Sequence, residues 1–291
     1  MAAVLAAEVE ARLSERHFFV NEGILSSVYM ILMIGGHPRS GTTLLQTLCH
    51  AHPDIGMTNE FGNLVALGSS RADYTRHIFD RWRRVQGNLA FDISYHGAPW
   101  QMKIGNMGFA LRHLYYFRQY CEGVATAVSI EAAYRAMYPN AKIYGDKWPH
   151  YLFRMGKYVK EDNLARLVIY RDCRDVTSSF LVKARTSWKN RAWVQNVDSA
   201  EKIAAKWVRG IEIMETHTDK LIILQYETLM REPEKELRRV SEALGLDPAS
   251  FPDGMIDPGS IGKYQSGLTP EELETVLEVA GPTMARLGYL P

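Results

Sequence analysis

The run GGHPRSGTT, Gly35 to Thr43, carries the glycines and hydroxyls of a phosphate-binding turn. Such a turn between a strand and a helix aims backbone N–H groups at an anion, and glycine lets the chain curl closely around it. Thr43 stands where a triphosphatase loop has its magnesium-binding hydroxyl, but Thr42 replaces the lysine, and Arg39 is the nearest strong cation. A lysine-free loop with an internal arginine suits a smaller anion, one phosphate beside a transferring group. A tight strand-to-helix turn without a ligand has the same residues.

A second run, VIYRDCRDVTSSF, places Arg171 at the end of an apolar stretch. Arg174 and Asp175 open the next helical pattern, and Ser178 and Ser179 fall in its first turns. A guanidinium and a hydroxyl at a helix N-terminus make a phosphate cradle. Taken alone, R-D-x-R-D also reads as a surface ion-pair cluster, worth little energetically. Two anion sites on one sheet edge fit a nucleotide with phosphates at both ends of its ribose.

The elements that must hold these runs are legible. Four short apolar runs, 29–36, 141–147, 164–172 and 220–227, read as strands buried on both faces. Helical patterns at 42–51, 129–139, 175–184 and 200–217 alternate with them. The expectation is an α/β fold of P-loop type, a central parallel sheet of about five strands with helices on both faces. The polar motifs, including GDKWP at 145–149, then lie at the carboxyl ends of strands, where open α/β sheets bind ligands. Near the C-terminus, Pro233 and Gly245 bracket one helix, and Thr269 with Glu272 forms a capping box for another. Residues 71–120 mix charge and aromatics without a clear period.

Net charge is +1 and composition is 46% hydrophobic, which argues against a general nucleic-acid binder. Cys49, Cys121 and Cys173 are scattered and read as buried thiols. His50 and His52 lack a third ligand nearby, so no metal site is expected there. No N-x-S/T site, no signal peptide and no apolar run of membrane-spanning length is seen, which predicts a cytoplasmic protein without a membrane partner. Nothing in the sequence speaks to oligomeric state.

Together these motifs resemble sulfotransferases that use 3′-phosphoadenosine 5′-phosphosulfate (PAPS). PRSGTTLL is similar to the family's 5′-phosphosulfate loop in the arginine form of tyrosylprotein and bacterial carbohydrate-type members. YRDCRDVTSSF is similar to its 3′-phosphate motif, and YETLMREPEKELRRVSEALGL to a segment near its C-terminus. The resemblance covers most of residues 30–290. It implies that Arg39, Ser40, Gly41, Thr42 and Thr43 bind the 5′-phosphate, and that Arg171, Ser179 and Lys263 bind the 3′-phosphate. Arg39 and Lys147 would stabilise charge on the leaving oxygen. AHPDIGMTNEFGN resembles the segment whose glutamate is the general base, here Glu60. The lysine loop and histidine base of the cytosolic small-molecule branch are missing, which keeps His150 as a rival base. The leaving phosphate is already a stable anion, so no metal is required.

The implied architecture is one sulfotransferase domain over 1–291, with an N-terminal extension at 1–28 and acceptor-binding or lid insertions at 61–125 and 185–198. The expected acceptor is a small-molecule alcohol or phenol, hinted at by Phe91, Tyr95, Trp100, Tyr115 and Tyr116. A carbohydrate or protein tyrosine is the alternative, and a P-loop nucleotide kinase the more distant one. A base works best with a raised pKa, which burial or nearby apolar groups would give Glu60. Residues 112–120 read as core packing or as an acceptor wall, 185–196 as a lid or a static loop, and Trp148 as a base-stacking or a core residue. Trp207 reads as core.

Overall fold

Each of the four apolar runs forms a strand: β1 Ile31–Gly36, β3 Ile143–Lys147, β4 Leu164–Tyr170 and β5 Ile222–Gln225. A further strand, β2 Ile55–Asn59, has the sequence IGMTN, too short and too polar to stand out from its neighbours. The computed structural model describes residues 31–84, 99–191, 194, 197–252, 254, 256 and 258–290. The extension 1–28, Phe91, Tyr95 and Trp193 lie outside the described residues.

The five strands pair in parallel in the order β2-β3-β1-β4-β5. β1 is the point where the order reverses: the chain runs to β2 and β3 on one side and to β4 and β5 on the other. Ligand crevices in open α/β sheets form at such points. The register sets Lys147 level with Ile34 on β1 and Asn59 on β2, so three polar loops leave the sheet at one edge.

Alternation along β1 divides the core. Ile31 and Met33 face one apolar layer, and Leu32 and Ile34 face the other. Against the second layer pack α1 Thr42–Ala51, α8 Tyr226–Arg231 and α9 Pro233–Leu244. The first layer is larger. It holds α2 Arg71–Arg84, α3 Pro99–Tyr120, α4 Ala127–Met137, α6 Cys173–Arg185, α7 Ala200–Thr216 and α11 Pro270–Arg286. Two short helices, α5 Met155–Tyr158 and α10 Tyr264–Gly267, complete the set.

The helix signals act as read. Pro233 opens α9 and Gly245 ends it at φ 66°. The Thr269–Glu272 capping box starts α11. The run 112–120 is packing on its inner face: Tyr74 and Phe117 stack at 3.9 Å, and the Tyr74 hydroxyl lies 2.8 Å from buried His113 Nε2. All three cysteines are free and buried. His52 is occupied locally, since its Nδ1 accepts from the Asp54 N–H and its Nε2 meets the Asp247 carbonyl. No group of three or more His, Cys, Asp or Glu among the described residues could hold a metal ion. No described helix is long and apolar enough to cross a membrane.

Candidate active site

Backbone geometry alone points to two residues. Among the described residues, only Arg39 (φ 76°) and Glu60 (φ 58°) are non-glycines in the left-handed region. Each such conformation costs on the order of 1 kcal/mol and persists only where the surroundings impose it.

Around Arg39 the loop is fixed by close approach. A Cβ on Gly36 would lie 2.5 Å from the Ile169 carbonyl, and one on Gly41 would lie 2.5 Å from the Tyr226 ring. Ser40 N–H closes the turn on the His37 carbonyl at 3.1 Å. Thr42 is buried and Thr43 exposed. The buried Ser40 hydroxyl has no hydrogen-bond partner. A polar group left unmet in a packed loop is costly, and a bound anion would satisfy it.

Arg39 reaches across the sheet edge. Its Nε donates to Ser179 Oγ at 3.0 Å, joining the two anion motifs directly. Burial, with the nearby Arg171 charge, lowers the Arg39 pKa, as expected of cations gathered without their anion.

The second motif is anchored by Asp175. Its Oδ2 accepts from Arg171 Nη2 at 3.0 Å and from the Gly262 N–H at 2.9 Å, while Oδ1 accepts from the Tyr264 N–H at 2.9 Å. Asp175 thus ties the C-terminal GKY loop to the start of α6. A Cβ on Gly267 would fall 2.0 Å from Ser178 Oγ, so α10 covers Ser178 and leaves Ser179 to Arg39. Lys263 is carried on this same loop with its side chain exposed. Arg171 lies 4.5 Å over the Tyr226 ring, and its Nε is buried without a partner. Both cradles therefore hold an unmet buried donor, Ser40 Oγ in one and Arg171 Nε in the other. The donor set fits a ligand with two separated phosphates.

Tyr226 belongs to both cradles, packed on Gly41 and stacked under Arg171. Its motif YETL was visible in the sequence, but the contact was not. Trp207 is core, as read, and its Nε1 donates to the Arg171 carbonyl at 2.8 Å.

Glu60 ends β2. Its N–H donates to the Lys147 carbonyl at 2.7 Å, and its carbonyl accepts from Arg81. Asp146 holds the next residues: its carboxylate accepts from Phe61 and Gly62 N–H at 2.9 Å each, from Thr58 Oγ1 at 2.6 Å, and from the Tyr151 hydroxyl. Full burial raises the Asp146 pKa, and those four donors pull it back. This positioning role inside GDKWP was not anticipated. Lys147 is 2% exposed and donates to Glu60 Oε1 at 3.0 Å and to Thr43 Oγ1 at 3.3 Å. It therefore bridges the loop and the acidic residue. The Glu60 side chain is 43% exposed and stands at the mouth of a largely apolar cavity, so of burial and nearby apolar groups it has the second and not the first.

That cavity, of about 500 Å³, is in the size range of small-molecule pockets. Pro38 and Glu60 border it on one side, and Trp148, Pro149 and His150 on another. Phe180, Trp188 and Val197 line it from α6 and the segment after it, and Lys206 from α7. Trp188 meets Phe180 edge-on at 5.4 Å and lies under Arg39 at 5.9 Å. Trp148 faces Arg81 at 5.0 Å and is a cavity wall. The aromatics proposed from sequence are elsewhere: Trp100 and Tyr115 are 63% and 64% exposed, and neither they nor Tyr116 line the cavity. Burial, then the Lys206 charge, pushes the His150 imidazole down to about 4, so it is neutral near pH 7.

Residues 32–250 match the model of the Sulfotransferase family. Protein-tyrosine sulfotransferase 1 of Danio rerio is 24% identical over 90% of this chain and 72% of its own length. The nodulation protein NoeE of Sinorhizobium fredii is 23% identical over 91% of this chain and 67% of its own. In fold, the chain is similar to the sulfotransferase domain of the Synechococcus olefin synthase (TM-score 0.52, 17% identity, 86% of this chain and 94% of that one). It is similar also to the sulfotransferase STF9 of Mycobacterium avium (TM-score 0.51, 14% identity, 97% and 81%). With a family match over three quarters of its length, and a parallel sheet whose switch point joins Arg39 to Ser179, the chain belongs to the Sulfotransferase family and is a sulfotransferase.

Proposed function

We propose that this enzyme transfers a sulfonate group from PAPS to the hydroxyl of a small-molecule alcohol or phenol, by in-line displacement with Glu60 as general base. The observation that carries the reading is the pair of unmet buried donors, Ser40 Oγ and Arg171 Nε, in cradles joined by Arg39 and Ser179. Arg39, Ser40, Gly41, Thr42 and Thr43 bind the 5′-phosphate. Arg171, Ser179 and Lys263 take the 3′-phosphate. When bound, PAPS supplies a sulfonate on a leaving phosphate that is stable as an anion.

The remaining work is positioning and charge stabilisation. Arg39 and Lys147 face the leaving oxygen, where negative charge grows. Glu60 takes the acceptor proton as the new sulfur–oxygen bond forms and the bond to phosphate breaks. Lys147 holds that carboxylate at the cavity mouth, and Asp146 holds its backbone. Trp188 and Val197 make the 185–198 insertion a wall of the acceptor cavity. The 61–125 insertion supports the base from behind: His77 Nε2 and Arg81 meet the carbonyls of Gly62 and Glu60. A protein-tyrosine or carbohydrate acceptor is the alternative, the first because relatives bear that name, but a cavity of about 500 Å³ favours a small molecule.

Binding of 3′,5′-bisphosphoadenosine, compared with ATP and magnesium by calorimetry, tests the donor half. Preference for ATP would sink it. Glu60→Gln tests the acceptor half: turnover should fall at least about a hundred-fold, as for loss of a general base, with bisphosphate affinity retained. Unchanged turnover removes Glu60 from the mechanism.

A further inference from the structure

We propose that the acceptor carries an anionic group, a carboxylate in its simplest form, and that Lys206 receives it on the cavity wall. The inference rests on the reading of this cavity as the acceptor site and goes on to name the acceptor's chemical class.

Lys206 is a cation without a counter-ion. Among the described residues it makes no hydrogen bond or ion pair, and its ammonium lies 4.9 Å over the Phe153 ring. Two other lysines, one on the same helix and one buried behind Glu60, carry ionic partners. Lys202, one turn earlier on α7, pairs with Asp198 at 2.9 Å, and Lys147 is paired with Glu60. Glu60 is the only carboxylate among the described residues lining the cavity, so its charge is already committed. The two imidazoles beside Lys206 supply no negative charge. His150 is neutral, and burial pushes the neighbouring His37 down to about 3. The rest of the lining is aromatic, proline and valine.

An ammonium in such a wall loses water and gains only the face of the Phe153 ring in return, and desolvation accordingly lowers its pKa. An acceptor that is apolar throughout would finish the desolvation and leave the charge unmet. An acceptor with a carboxylate would form a charge-assisted hydrogen bond in a partly dry site, where such bonds are strong. The same lysine would reject cationic acceptors by like-charge repulsion. A hydroxyl at Glu60, an aromatic or apolar body between Trp148 and Trp188, and an acid at Lys206 together describe a phenolic or alcoholic carboxylic acid.

The test compares para-hydroxyphenylacetate with para-hydroxyphenylacetamide, which share the ring and hydroxyl but not the charge. The full-length wild-type enzyme with PAPS should favour the carboxylate by about tenfold or more in kcat/KM, chiefly through KM, the size of one charge-assisted hydrogen bond. Lys206→Met, which keeps the stem, should bring the ratio close to one, and Lys206→Glu should invert it. Bisphosphoadenosine binding reports whether each variant is folded. A wild-type ratio near one, or a preference that survives Lys206→Met, overturns the proposal. If neither phenol is sulfonated while the bisphosphate still binds, the phenol reading fails by itself. The preference is then read from tryptophan fluorescence as the carboxylate and the amide are titrated into the bisphosphate complex. Equal affinity there overturns the role of Lys206.

Discussion

The two halves of this site are built in different ways. In the proposed reading the donor half is built on local turns: a glycine turn after β1, a helix start after β4 and a C-terminal loop, their side chains stitched together by Arg39–Ser179, Asp175 and Tyr226. The acceptor half is made of side chains that arrive singly from separate segments: Glu60, Trp148, Phe180, Trp188 and Lys206. A cradle set on tight turns needs a fixed local sequence, because only certain residues fit those turns. A cavity wall needs only volume and polarity at a point, which many residues supply. The first kind of construction resists change and the second permits it.

Arg39→Met gives the largest expected effect on this contrast. The substitution removes a preorganised charge where negative charge develops and also unties the two cradles. It should lower kcat by roughly 10²–10³, the cost of one such donor. Steady-state kinetics with saturating PAPS checks this. A change confined to the acceptor KM would mean that Arg39 belongs to the cavity, through Trp188, and not to the donor half.

Asp175→Asn should have the next largest effect. It keeps the shape but withdraws the charge that holds Arg171 and two loop amides. Weakening hydrogen bonds to a charged group costs about 1.5–3 kcal/mol, roughly tenfold or more in bisphosphoadenosine affinity if the loop over the 3′-phosphate loosens. Calorimetry reads the affinity, and proteolysis within 258–268 reads the loosening. Unaltered affinity would show that this loop is not part of the donor half.

This difference in construction also explains what could be read in advance. The strands at 31–36, 143–147, 164–170 and 222–225 were legible because residues buried on both faces are uniformly apolar. Arg39, Ser179 and Arg171 were legible because their turns constrain spacing. β2 was not, since Gly56, Thr58 and Asn59 interrupt its apolar character. The role of Asp146 was hidden, because it depends on amides of Phe61 and Gly62 that follow a different strand, β2. Lys206 was not singled out, since nothing in the local sequence distinguishes it from the other charges of its helix. Trp100 and Tyr115 misled because aromatic content says nothing of direction, and α3 turns them to solvent.

Trp188→Ala probes the acceptor half with a smaller effect. The ring walls the cavity and contacts both Phe180 and Arg39. Loss of one aromatic wall should raise the acceptor KM by about five- to tenfold, in keeping with about 1 kcal/mol for an aromatic contact. Bisphosphoadenosine affinity should move by less than about twofold. A larger loss on the donor side would show that Trp188 positions Arg39, and the division between the halves would have to be redrawn there.

The smallest effect concerns acid. His150 is held neutral at the acceptor wall, with its pKa near 4 instead of the usual 6.5. Below pH 6.5 the unfolded chain binds a proton at this position that the folded chain refuses, so folding stability falls as pH drops from 6.5 towards 4. His37, in the loop after β1, carries a like liability, its imidazole pushed down to about 3 by burial, so the difference between wild type and a His150 variant isolates the His150 contribution. His150→Gln removes the titrating ring while keeping a polar side chain. Its melting temperature should therefore fall less than that of the wild type between pH 6.5 and 4.5, by about 2–4 °C, the equivalent of roughly 1 kcal/mol in a chain of this size. Parallel curves for the two proteins would mean that His150 takes up its proton in the folded state, and that the acceptor wall is wetter than its aromatic lining implies. The carboxylate preference assigned to Lys206 would then weaken too, since a hydrated ammonium has less need of a counter-ion.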